Sequence, residues 1–93
     1  MDEQKIIEKL KSEGWNNVGV YEDGSNEVDE EHKHDYDTIL HIISGDIKIT
    51  ILENNIITDY GLKVGDEKII FKNQLHSAKT GEKGCRYVVG ERK

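Results

Sequence analysis

The chain contains no proline, one cysteine, one alanine and two arginines. Without proline, tight turns fall to Gly, Asn and Asp, which reach the left-handed conformations that turns require. The lone cysteine, Cys85, excludes an intrachain disulfide and a cysteine-rich zinc site. No stretch approaches the ~20 apolar residues of a membrane-spanning helix. The N-terminal MDEQKIIEKLKSEG is polar and lacks the apolar stretch of a signal peptide. A reduced, cytoplasmic, soluble protein is therefore expected. Positive charge is scarce too: 13 Lys and Arg stand against 19 Asp and Glu, a formal net charge of −6. Such a balance argues against tracking a phosphate backbone and against docking on anionic lipid.

At 93 residues there is room for one domain with a modest core. Hydrophobic residues make up only 34% of the chain, yet twelve are Ile and six are Val. β-Branched side chains suit a pleated surface, so the composition points to β-structure.

Residues 2–13 read as a short helix. Asp2 can cap it, Glu3 complements its positive end and Gly14 can close it. From Trp15 the period becomes two. Strands are expected over Val18–Glu22, Ile47–Leu52, Ile56–Tyr60, Lys68–Lys72 and Cys85–Val89. His32–Ser44 has strand character broken near Asp35. Asp23–Glu31 reads as a loop with an acidic end, Ser44-Gly45-Asp46 as a tight turn, and Glu53-Asn54-Asn55 as a hairpin turn. Short strands and tight turns in this number describe a sandwich or barrel.

Ile39–Ile43 is apolar on both faces, with Leu40 and Ile42 on one side and Ile39 and Ile43 on the other. Such a strand is covered twice. Ile6, Ile7 and Leu10 give the helix only a narrow apolar stripe, so a homodimer packed sheet to sheet is expected to cover the second face. His41 shares that outer face and is expected in packing, not ligation. Cys85, Tyr87 and Val89 share a face, and Cys85 reads as a buried structural thiol. Tyr87 and Trp15 are core candidates that could also line a cavity, whereas Arg86 points out. Glu27–Glu31 reads as a solvated rim.

His32 and His34 are two apart. On an extended chain both rings project to one side, with Lys33 opposite, forming a clamp for a transition metal. His34 is followed eleven residues later by Gly45. Gly65 opens a second block, GDEKIIFKNQLH, that reaches His76 after the same interval. These blocks resemble the two motifs of the cupin superfamily, G-x5-H-x-H-x3-4-E-x6-G and G-x5-P-x-G-x2-H-x3-N. His32, His34 and Gly45 match the first, and Gly65 and His76 the second. Five positions depart: Asn26 stands for the opening Gly, Thr38 for Glu, Phe71 for Pro, Asn73 for the second Gly and Thr80 for Asn. Asn73 can still take a left-handed turn.

The resemblance covers roughly residues 18–90. It implies an all-β, single-domain cupin barrel (a double-stranded β-helix or jelly roll) over residues 1–93. The short N-terminal helix would occupy 1–14 and the barrel 15–93. It further implies that His32, His34 and His76 converge as three neutral ligands for a divalent transition metal: Fe, Ni, Zn, Cu or Co. Thr38 would face the cavity without ligating strongly; a one-residue bulge could instead turn Asp37 inward and restore a carboxylate. Three functions remain open on these residues. One is a metal-binding cupin, enzymatic or not, whose metal acts as Lewis acid or oxygen activator on a small anionic or oxygen-rich molecule. The second is a metal-free small-molecule binding or sensing module, and the third a structural dimer. The residues name no second acid or base, so no reaction follows.

Overall fold

The computed structural model describes residues 2–93. Met1, part of the expected helical region, lies outside the described residues. Helix α1 spans Glu3–Ser12. The Asp2 side chain accepts from the Gln4 amide at its start, and Gly14, at φ +96°, lies just past its end. Six strands follow: β1 (Asn16–Asp23), β2 (Val28–His32), β3 (Asp37–Glu53), β4 (Ile56–Lys63), β5 (Glu67–Ile70) and β6 (His76–Arg92). All pairings are antiparallel.

Two 17-residue strands organise the barrel. β3 and β6 pair along most of their length, with register shifts at Ile42/Ser44 and Gly45/Ile47. On one side of that irregularity, β3 pairs with β5 and β6 with β1. On the other, β3 pairs with β4 and β6 with β2. Each long strand thus serves both halves of the barrel. Ser44-Gly45-Asp46 is therefore a bulge inside a continuous strand, not the tight turn expected from its composition. Gly45 has φ +74°, and a Cβ there would collide with the carbonyl oxygen of Gly84 on β6. The composition reads as a turn because the bulge needs the same left-handed backbone.

The turn between β3 and β4 follows expectation, with Asn54 and Asn55 both at positive φ. Asn26 and Asn73, the two Asn at motif glycine positions, are also left-handed, at φ 51° and 65°. In contrast, the expected loop Asp23–Glu31 contains the start of β2. That strand's side chains are mostly exposed, so it lacks the apolar alternation by which strands are read.

The inner core contains Leu40, Ile42, Ile49, Ile51, Cys85 and Val89. A second cluster lies on the opposite face, where Ile6, Leu10 and Trp15 pack on Ile39 and Val88, with Ile43 at its edge. Leu10 and Val88 are fully buried there. Trp15 and β1 widen the cover that the helix stripe gives to the face on which the dimer expectation rested, and Val18, Val20, Ile43 and Ile69 stay partly buried at its edge. Trp15 belongs to this outer layer, under the Arg92 guanidinium, and so does not line the cavity. Arg86 points out, as expected, and pairs with Glu3 and Glu22. None of the described helices is long and apolar enough to cross a membrane.

Candidate metal centre

Three elements bring the histidines together. His32 ends β2, and His76 begins β6 directly opposite it in the ladder. His34 lies in the segment that leads to β3. The turn before His76 is tied to that segment, because the Asn73 amide donates to the His34 carbonyl at 2.7 Å. This turn is closed locally as well, the Phe71 amide donating to Gln74 Oε1. The left-handed Asn73 thus helps set His76 relative to His34.

One ligand atom from each of His32, His34 and His76 lies within 4.8 Å of the others. Ring centroids are 4.3 Å apart for His32 and His76, 4.8 Å for His32 and His34, and 5.3 Å for His34 and His76. His32 Nδ1 sits 2.6 Å from the Glu30 carbonyl and His76 Nδ1 sits 2.9 Å from the Gln74 carbonyl. A carbonyl only accepts, so both rings carry the proton on Nδ1 and keep the Nε2 lone pair free. Anchoring of this kind fixes the tautomer and orientation of a ligating imidazole. His34 stacks on Tyr36, with centroids 4.8 Å apart. Burial lowers the pKa of His34, and His32 beside it adds to the shift. Burial lowers that of His76 too, against the opposing pull of the Gln74 carbonyl. Both effects favour the neutral ring, the form that binds metal.

The histidines border a cavity of about 330 Å³. Thr38 lines it, consistent with the motif register, and its buried Oγ1 has no hydrogen-bond partner. Three imidazoles beside an unpartnered hydroxyl form a donor set and a polar space that fit a divalent transition metal with further ligands. Asp37 is elsewhere. β3 pairs regularly through Asp37 and Thr38, and the Asp37 carboxylate accepts from the Lys72 amide. With no bulge at that point, Asp37 is kept out of the cavity.

Other lining groups escaped the sequence reading. Tyr21, Tyr36 and Glu91 border the cavity; Asp29, which also does, belongs to the acidic rim expected over Glu27–Glu31. Parity held a usable signal for two of them. Tyr36 is two residues beyond His34, and Glu91 continues the inward face of Tyr87 and Val89. Glu91 is also the cross-strand partner of Thr38. Tyr87 lines the cavity and donates its hydroxyl to Asp23 at 2.7 Å; burial, then this bond, raises its pKa. Cys85 is buried in the core, and loss of solvent pushes its thiol up to about 11, which keeps it protonated and inert. His41 is buried, its Nδ1 2.8 Å from Glu67, which also pairs with Lys9 of the helix.

No family model and no curated protein sequence matches the chain. Solved structures do. An oxalate decarboxylase variant from Bacillus subtilis is 17% identical with a TM-score of 0.76, over 82% of this chain and 20% of that one. The fold is the cupin barrel. The Cnp3 cupin domain of Schizosaccharomyces pombe is 19% identical, with a TM-score of 0.72 over 82% of this chain and 54% of that chain. KdgF from Halomonas sp. is 14% identical at TM-score 0.66, over 82% and 67%. This chain thus spans about one fifth of the oxalate decarboxylase whose fold it resembles. Bacillus subtilis oxalate decarboxylase carries Mn(II) centres.

Proposed function

We propose that this cupin binds one divalent transition metal through His32, His34 and His76 and takes a small polar molecule in the adjoining cavity. The observation that carries the reading is the pre-oriented histidine group. Its ligand atoms lie within 4.8 Å of one another, and the Nδ1 atoms of His32 and His76 face carbonyl oxygens. Three neutral nitrogen ligands suit Fe, Co, Ni, Cu or Zn and suit Mg or Ca poorly. The Mn(II) centres of oxalate decarboxylase, on the same fold, add Mn to the metals worth testing. When bound, such an ion supplies Lewis acidity and open coordination positions. The chain supplies the rest. Carbonyls hold two rings in place, Tyr36 backs His34, and Leu40, Ile49 and Val89 wall the cavity.

Elemental analysis of the purified protein, with melting curves in added Zn, Co, Ni, Fe and Mn, tests the reading. One metal per chain and a raised melting temperature are expected, because a ligand that binds only the folded state stabilises it. Metal-free protein whose melting no ion shifts would instead leave the metal-free binding module.

A further inference from the structure

The cavity lining holds carboxylates and no cation. Asp29 and Glu91 border it, and no Lys or Arg does among the described residues. Both arginines are engaged on the outer layer, Arg86 with Glu3 and Glu22 and Arg92 over Trp15. Glu91 is held there by the Asn17 amide, which donates to its Oε1 at 3.1 Å. Tyr87 has spent its only proton on Asp23, so its oxygen can only accept from a ligand. The polar wall away from the histidines thus offers the Asp29 and Glu91 carboxylates and the Tyr87 oxygen as acceptors, with the hydroxyls of Thr38, Tyr21 and Tyr36 beside them.

We infer that the ligand of this cavity is a small uncharged polyhydroxyl molecule, of the polyol or monosaccharide class, and that dicarboxylates are rejected. The inference rests on the metal reading above. Three neutral imidazoles and a divalent ion carry two positive charges, and Asp29 with Glu91 carry two negative ones. A dianion would then enter a formally neutral cavity with apolar walls and meet no counter-charge, at a cost that burial raises. An amine meets the same neutral balance and gains no net attraction either. Hydroxyl groups satisfy every condition: they donate to the carboxylates and to Tyr87, accept from Thr38, and bring no charge. Of the anionic or oxygen-rich molecules expected from the sequence, the oxygen-rich class is the one kept. The structure adds Glu91 to the acidic rim that holds Asp29, and both stand against the charge of the metal.

The test uses the full chain loaded with Co(II). Metal retention is measured first; a chain that keeps no metal overturns the metal reading, and this inference with it. On loaded protein, ribitol and succinate are titrated separately, followed by the visible Co(II) spectrum and by calorimetry. Ribitol is expected to perturb the spectrum and bind at least about tenfold more tightly than succinate. Asp29→Asn with Glu91→Gln is expected to tighten succinate by at least about tenfold, since two like charges are removed near it. Either single variant serves if the double variant does not fold. Succinate binding as tightly as ribitol, no response to ribitol, or unchanged succinate affinity in the variants would each overturn the inference.

Discussion

His32 and His76 are cross-strand partners at the end of the β2–β6 ladder, with ring centroids 4.3 Å apart. Backbone pairing therefore sets the spacing of two proposed ligands before any metal arrives. His34, two residues from His32, completes the group through a loop that Asn73 ties down. Because strands are stiffer than loops, His34 is the member whose position depends most on a local contact.

Removing a proposed ligand separates the proposed metal site from general packing. His76→Ala is expected to weaken metal binding by more than the roughly 10–100-fold that loss of an outer-shell partner costs. His41→Ala removes another buried imidazole, one that pairs with Glu67. It is expected to lower the melting temperature but keep one metal per chain. Metal titration of both variants checks the contrast. Equal losses would show that the two histidines act through folding alone.

Acid should weaken the metal-free protein. The pKa values of His34 and His76 are lowered in the folded state, burial being the largest cause. The unfolded chain then binds more protons as pH falls through the ordinary histidine range near 6.5, so stability rises with pH there. The contribution of these rings is present above that range, declines as pH falls through it, and levels off below the lowered values. Denaturant melts between pH 5 and 8 on the metal-free protein, compared with a His34→Gln, His76→Gln variant, read the difference. A variant with the same pH slope would remove these rings as its source.

Thr38 offers two opposite substitutions. Its Oγ1 is buried without a partner, and an unsatisfied hydroxyl costs roughly 1–3 kcal/mol. Thr38→Val is expected to stabilise the metal-free protein by about 1 kcal/mol. Thr38→Glu places a carboxylate in the cavity and is expected to strengthen Mn(II) or Fe(II) binding about tenfold, through an added oxygen ligand. It should also lower metal-free stability, because Glu91 faces it across the ladder. Calorimetry with Mn(II) showing unchanged affinity would mean that the new carboxylate does not reach the ion.

The outer face gives the last comparison. Leu10 is fully buried against the sheet, and Leu10→Ala is expected to cost about 2–5 kcal/mol. Ile43 packs at the edge of the same cluster. Ile43→Lys is expected to lower the melting temperature and leave sedimentation unchanged, because the helix of the same chain covers this face. A sedimentation shift in Ile43→Lys would show that a second copy also uses it.

Much of the fold was legible in the residues themselves. Ile39–Ile43, apolar on both faces, and the alternation of Ile47–Leu52 mark the two halves of β3, Asn54 and Asn55 mark a hairpin, and Asp2 and Gly14 bound the helix, because each signal depends only on neighbours a few residues apart. The two histidine blocks pointed to His32, His34 and His76 through their spacing and family resemblance. Tertiary structure decided what spacing cannot express. It made Gly45 a bulge by setting it against Gly84 and left Asp37 outside by keeping the β3 ladder regular. It laid Trp15 as well as the helix on the outer face. It also set Glu91 opposite Thr38, though the two lie 53 positions apart in the chain. A contact at that separation is created by strand pairing; parity places Glu91 on the inward face with Tyr87 and Val89, but no local pattern sets it opposite Thr38.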